Sequence, residues 1–438
     1  MCPDRSRRRP VAFVLFLVGA CSAARPPAPD LQAALNELDA RPPFAAVAPT
    51  AAGAFDPADG VDLREAQMAA LVLHPSLHAA RAAAGIYRAA KDARPGFPNP
   101  TLDVAAQGVL ESVPDPWKVS VGIGFAIPLG GRLDAETQLW DARHQQALWD
   151  VVALERRHQR RVQKRWARWM GHLERATLLE RHADALDVVR ALASELTNAG
   201  ELSPAGLALL DARRRRVVRD RAEAESDAAL AAMDLLQLIG VRADAPLRFV
   251  PSWALTPPEP NNLGVTTLPS VRAAQAASMV AAAAVQEVSE RAAPDLTVGP
   301  TFEHDRGQNA VGVALSTPLP FLDRQRRGRA EAEARAALAT AHLEAALLEA
   351  QAGLVTARAA TQMATARLER ADAAAADVDA LVERVKALVR GGEVELWVVG
   401  EALSEQLDAR LSALDARVAL ASAVADLAFY VAGPEGAR

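Results

Sequence analysis

Two long stretches of the chain, from about Leu133 to Thr197 and from about Arg324 to Val389, contain no proline and almost no glycine. Uninterrupted tracts of this kind predict continuous helices, each about 65 residues long and about 100 Å in length at 1.5 Å per residue. Rods of that length do not fit inside one small domain. Both tracts stop at glycine turns, Ala199-Gly200-Glu201-Leu202-Ser203 and Gly391-Gly392-Glu393-Val394-Glu395, where the chain can reverse. Return helices follow, from about Pro204 to Ile239 and from about Leu396 to Val431, closing on Gly240 and Gly433.

Elsewhere the period changes from helical to two. Trp117, Val119, Val121, Ile123, Phe125 and Ile127 alternate with Lys118, Ser120, Gly122, Gly124 and Ala126, an apolar face against a small or polar one. Val311, Val313 and Leu315 alternate in the same way with Ala310, Gly312, Ala314 and Ser316. Partner stretches, Leu102 to Leu110 and Leu296 to His304, alternate less cleanly. Four strands are predicted, at about 101–110, 117–127, 295–304 and 309–317, of the length that crosses a bilayer when tilted. Two readings fit this alternation: a lipid-facing barrel segment, or a water-soluble antiparallel sheet with one buried face.

These elements recur with a shift of about 190 residues, too long for a solenoid repeat and indicative of a duplicated half. Leu73-His74-Pro75-Ser76-Leu77 opens an Ala-rich helix and Thr267-Leu268-Pro269-Ser270-Val271 opens its echo. Proline breaks at Pro95 to Pro100 and at Pro294 end the two helices, and Pro128 and Pro318 follow the strand pairs. The expected organisation is a first repeat over 61–245, a Pro- and Asn-rich linker over 246–262, a second repeat over 263–433 and a short tail over 434–438. The fold class is mainly α with a small β part, built as helix, strand, strand, long helix and return helix, twice.

Four strands do not close a barrel, and open edges are not tolerated in lipid. If the strands are membrane-spanning, several copies share one barrel; three copies supply twelve strands and an interior wider than a filled eight-stranded one. Gly122, Gly124, Gly312 and Ala314 then face the lumen, and Trp117 and Phe321 stand where an aromatic girdle belongs.

Composition supports rods over a compact enzyme: aromatics are 4% of the 438 residues while hydrophobic residues make up 50%. A formal net charge of -5 gives little attraction for nucleic acid, and the Arg213 to Arg216 and Arg156-Arg157 runs read as solvated helix faces. The two cysteines, Cys2 and Cys21, lie near the N-terminus, so the body has neither a disulfide framework nor a thiolate metal site.

The N-terminal segment reads as an export signal over 1–20. Arg5 and Arg7 to Arg9 precede the apolar run Val11 to Val18, too short for a stable membrane span. Val18-Gly19-Ala20-Cys21 resembles a bacterial lipobox, in which cleavage before the cysteine leaves Cys21 as an acylated N-terminus. Two or three acyl chains on it supply the anchoring that one chain does not, with 21–60 as a tether. An ordinary signal peptide cut at a small residue is the alternative. Ser22 in place of an aspartate favours, by that same resemblance, the outer membrane.

In order and spacing, His74-Pro75-Ser76-Leu77, Phe97-Pro98-Asn99-Pro100 and Pro318-Leu319-Pro320-Phe321-Leu322-Asp323 resemble the TolC or outer-membrane efflux protein family, over nearly the whole mature chain from Asp62 to Gly433. The resemblance implies a homotrimer with a twelve-stranded barrel in the outer membrane of a Gram-negative-type bacterium and an α-helical barrel in the periplasm. It implies a passive conduit for small molecules or ions, worked by an inner-membrane pump through a periplasmic membrane-fusion adaptor. The adaptor would dock at the tip formed by Gly200, Glu201, Leu202 and Ser203 with Gly392, Glu393, Val394 and Glu395. Family members narrow the tip with acidic rings after the second glycine turn; the second ring position here is Glu401 and the first is Val398. Glu401 is thus a candidate gate, or simply a solvated helix-face glutamate. A periplasmic coiled-coil adaptor or scaffold without a pore is the competing function.

Catalytic chemistry is not expected. His74 and His78 share the i, i+4 spacing of a helical metal pair, but Pro75 and the family motif explain the segment without a metal. His144, His158 and His172 recur two heptads apart, about 21 Å between neighbours and too far to chelate together. Gly122-Ile123-Gly124 lies within a strand pattern and is no phosphate loop. No cofactor is implied beyond the covalent lipid on Cys21.

Overall fold

The computed structural model describes residues 30–40, 60–93, 95–108, 110, 117–258, 264–305, 307–319, 324–391 and 393–431. Cys21 and the signal segment, Gly392, Phe321 and Gly433 lie outside the described residues. The chain divides into two compact units, Met1–Ala45 and Ala46–Arg438. In the first, Leu31–Ala40 form a helix, α1, inside the stretch that the sequence marks as tether.

The second unit contains the duplicated plan. α2 (Leu63–Leu73) and α3 (Pro75–Asp92) are separated by a one-residue break at His74. Asp62 accepts from the Glu65 amide at 2.8 Å and the Glu65 carboxylate accepts from the Asp62 amide at 2.9 Å, a reciprocal cap that fixes the start of α2. Pro75 has no amide hydrogen to lose at the first position of α3. Strands β1 (Thr101–Gly108) and β2 (Trp117–Pro128) precede α4 (Arg132–Asn198) and α5 (Pro204–Ile239). The second half repeats the order with α6 (Pro269–Glu290), β3 (Asp295–Asp305), β4 (Gln308–Ser316), α7 (Arg326–Arg390) and α8 (Trp397–Val431). Predicted and observed bounds agree within one or two residues for the long tracts and return helices, because proline and glycine mark their ends directly.

The four strands form one antiparallel sheet in the order β1-β2-β3-β4. Val121 opposes Val104 on one side and Phe302 on the other, and Val311 opposes Phe302 in turn. The sheet therefore joins the two halves through β2 and β3 and leaves β1 and β4 as its edges. α4 packs against α3, α5, α6 and α8, and α7 packs against α6 and α8.

Small residues set the helix spacing. A Cβ on Gly171 would stand 2.6 Å from Val418, and one on Gly353 would collide with the Tyr430 hydroxyl. α4 and α7 therefore approach α8 closely where these glycines lie.

Residues 246–258, read from sequence as linker, lie against α4. Val61 and Phe249 form a parallel bridge, and Phe249 stacks edge-on with Trp166 and Trp169 at ring separations of 5.5 Å. Trp166 Nε1 donates to the Ser252 carbonyl at 2.9 Å and Trp253 Nε1 donates to Glu174 at 3.0 Å. Aromatic burial with satisfied indole donors turns a Pro-rich connection into a strap.

Candidate functional site

Three places in the fold carry the sequence-derived expectations: the sheet, the tip and the Glu401 position. On the sheet, pairing assigns each side chain to a face. Lys118, Ser120, Gly122 and Gly124 share theirs with Thr101, Asp103 and Gln107 of β1 and with Thr301, Glu303 and Asp305 of β3. The opposite face carries Leu102 and Val104, then Trp117, Val121, Ile123, Phe125 and Ile127, then Phe302, Val311, Val313 and Leu315. All of these are large and solvent-exposed in the single chain. A contiguous exposed apolar face on this scale marks a contact with lipid or protein rather than with water. β1 and β3, whose alternation is faint in the sequence, obey the same two-face rule once the register is known.

The small-residue face is closely packed. A Cβ on Gly124 would stand 2.7 Å from Thr101 Oγ1 and 2.8 Å from Thr297 Cγ2, and one on Gly122 3.2 Å from Thr301 Cγ2. Threonines of the neighbouring strands fill the space that the glycines leave. At the hairpin end of this face Lys118 Nζ pairs with Glu303 and stands 3.9 Å from Asp305. Its polarity contrasts with the apolar face behind it.

At the tip, Gly200 adopts φ +78°, a left-handed conformation natural to glycine. The Glu201 and Leu202 amides both donate to the Leu196 carbonyl, at 2.9 and 3.2 Å. Ser203 Oγ accepts from the Ala205 amide at 3.2 Å and Pro204 opens α5. In the second turn the Glu393 amide donates to the Leu388 carbonyl at 3.0 Å, and Trp397 Nε1 donates to Glu395 at 2.6 Å. Glu201, Ser203, Glu393 and Glu395 are exposed while Leu202 and Val394 are half-buried. Beneath them one apolar core draws on all four hairpin helices, including Val189, Leu210, Val382, Val399 and Leu403. The two turns are thus carried on a shared, packed base.

Val398 is half-buried against that core, where a carboxylate would lose part of its hydration. Glu401, one turn on, is exposed and pairs with Arg213 of α5. The Arg213 partner has no signature in the sequence, since the two residues lie far apart along the chain and no local pattern links them. Asp187 pairs with Arg214 and Arg190 with Asp211 in the first hairpin. Asp379 accepts from Arg410 at 3.0 Å and from Gln406 at 2.6 Å in the second. The Arg214 guanidinium, by hydrogen bonding, holds the Asp187 carboxyl below the usual carboxylate range.

The histidines behave differently from a helical metal pair. His74 meets His158 of α4 rather than His78, with ring centroids 4.1 Å apart. Among the described residues, no group of three or more His, Cys, Asp or Glu is arranged to hold a metal ion, and no helix is long and apolar enough to cross a membrane.

No protein-family model matches the chain, and no curated protein matches it in sequence. Solved structures match its fold. The outer-membrane channel OprN aligns with a TM-score of 0.71 at 19% identity, over 85% of this chain and 90% of that one. CusC, a protein that forms a transmembrane channel, gives 0.70 at 17% identity over 85% of this chain and 93% of its own. The outer membrane protein VceC of Vibrio cholerae gives 0.70 at 18% identity, over 85% and 96%. The fold is therefore that of the TolC-like outer-membrane channels, as the residue order in the sequence led one to expect.

Proposed function

We propose that the chain is a subunit of an outer-membrane channel, three copies of which share one twelve-stranded barrel and conduct small molecules or ions without acting on them chemically. The observation that carries this reading is the four-stranded sheet. It has an apolar outer face, a polar inner face and, among the described residues, two unpaired edges, and it stands at one end of helices more than 60 residues long. In lipid such edges must be closed by another copy, and β1 of one protomer against β4 of the next does so.

Leu338, Leu348, Val355 and Met363 support the same assembly. They are exposed along α7 in the single chain, as expected of a face that packs against a neighbouring protomer. The acidic and half-apolar turns at Gly200 to Ser203 and Gly392 to Glu395 serve as the docking tip for a periplasmic adaptor, which links the channel to an inner-membrane pump. Cys21 carries the lipid that anchors the chain to the outer membrane, and Glu401 contributes a carboxylate to the constriction. The likeness to solved channels, which spans nearly all of those chains, favours this reading over a pore-less adaptor or scaffold.

The deciding experiment is single-channel conductance of the purified protein in planar bilayers, with oligomeric mass measured in the same detergent. Discrete conductance from a trimer is expected. A folded, non-conducting monomer or dimer would overturn the channel reading.

A further inference from the structure

Each half of the duplicated fold carries a cavity between its long helix and its return helix. In the second half, a cavity of about 560 Å³ lies between α7 and the end of α8, with Arg358, Thr361, Thr365, Glu369, Leu427 and Val431 in its wall. In the first half, a cavity of about 420 Å³ lies between α4 and α5. Its wall carries His74, Arg161, Lys164, Arg165 and Arg168 against the single carboxylate of Asp234. Aligned on the turns that match Gly200 with Gly392, the positions of Arg161, Lys164, Arg165 and Arg168 hold Gly353, Thr356, Ala357 and Ala360, and aligned on Pro75 and Pro269 that of His74 holds Leu268. The architecture therefore does not require the cations, since the second half is built without them at these positions.

Their partners leave a surplus of positive charge. Lys164 is engaged by Asp426 at 2.9 Å and Arg165 by Asp234 at 3.3 Å. Among the described residues, Arg161 and Arg168 have no ion-pair partner. His74 adds a neutral donor. Its Nδ1 accepts from the Ser76 amide at 3.3 Å and from the Ser76 hydroxyl at 2.7 Å, so the ring proton resides on Nε2. His158 behind it donates from Nε2 to the Leu238 carbonyl at 2.8 Å. Burial and the Arg161 charge lower the pKa of both imidazoles, consistent with a positive field in the cavity.

We propose that this cavity binds a phosphate-type oxyanion, gripped by the Arg161 and Arg168 guanidiniums, with Lys164, Arg165 and His74 completing the donor set. Guanidinium forks match the geometry of such oxyanions. The ligand is a soluble oxyanion rather than a lipid headgroup: Arg161 lies roughly 40 Å along α4 from its first residue at 1.5 Å per residue, beyond the reach of a bilayer spanned by the strands. Only this choice of source rests on the channel reading.

Calorimetric titration of the assembled protein in a non-ionic detergent, with inorganic phosphate against chloride at equal ionic strength, tests the site without requiring conduction. Saturable binding at one phosphate per chain is expected, weakened at least tenfold in Arg161→Ala/Arg168→Ala with the oligomeric mass unchanged. Short-chain phosphatidylglycerol is expected not to compete. Heats that match chloride, or a double variant that binds phosphate as the unaltered protein does, overturn the proposal. Competition by the lipid overturns the soluble source. Should the double variant fail to assemble, the His74 imidazole resonance of the unaltered protein decides: a saturable shift with phosphate supports the site, and an unmoved resonance refutes it.

Discussion

Arg213 of α5 pairs with Glu401 of α8, tying the return helix of the first half to that of the second just behind the tip. Both side chains are partly exposed, so the pair contributes little to stability, up to about 1 kcal/mol in a double-mutant cycle. Its effect is electrostatic. In the proposed channel, Arg213→Ala frees the Glu401 carboxylate and should make conduction more cation-selective, and Glu401→Gln should make it less so. Reversal potentials under a KCl gradient read the difference; equal values in the two variants would remove Glu401 from the constriction.

The strand faces make opposite predictions for adjacent residues. Val313→Arg places a charge on the apolar face and should cost about 2–4 kcal/mol near the bilayer midplane, whereas Ala314→Ser on the other face should be nearly neutral. Refolding into lipid vesicles followed by denaturant titration distinguishes them, and equal costs would mean that the sheet does not span a bilayer.

Introducing a side chain at Gly353 forces α7 away from Tyr430. Gly353→Leu should destabilise by about 1–3 kcal/mol through overpacking, seen as a lower melting temperature by circular dichroism. Gly240→Ala should also destabilise, because Gly240 caps α5 at φ +96° with the His74 backbone 2.8 Å from where a Cβ would stand.

Polar substitution on the exposed α7 stripe tests assembly. Leu348→Glu with Val355→Glu should lower the oligomeric mass in detergent while leaving the helical content of the chain intact. A trimer unaffected by both changes would remove this stripe from the protomer interface.

Burial lowers the pKa of His158 and of His182. The unfolded chain therefore binds protons that the folded chain refuses once the pH falls below the ordinary imidazole value, about 6.5. Stability should be greatest above that pH and decline as the solution is acidified through it, before the carboxylates titrate. Melting temperatures at pH 7.5 and pH 5.5 measure the drop. His158→Gln should make it shallower.

Much of the fold can be read along the chain because its punctuation is chemical. Pro204 and Gly240 bound α5 to the residue, and the absence of proline from Leu133 to Thr197 reveals α4. The faces of β1 and β3 are harder to read, since small residues such as Ala105 and Ala106 look alike on either side and Pro300 interrupts the ladder. The short helix α2 and the strap at 246–258 owe their form to the Asp62 cap and to Trp166, and neither the cap nor the tryptophan contact has a periodic signature. Within the candidate site, the glycine turns and Glu401 are visible in sequence. The Arg213 partner and the His74–His158 contact are not, because they depend on how distant helices meet.

The unpaired edges of β1 and β4 also bear on how the protein can be measured. If copies of the chain satisfy one another's hydrogen bonds, its stability includes an association equilibrium and depends on how many copies share a given volume. Dilution then becomes a denaturant: a melting temperature for this chain has meaning only beside the concentration at which it was recorded.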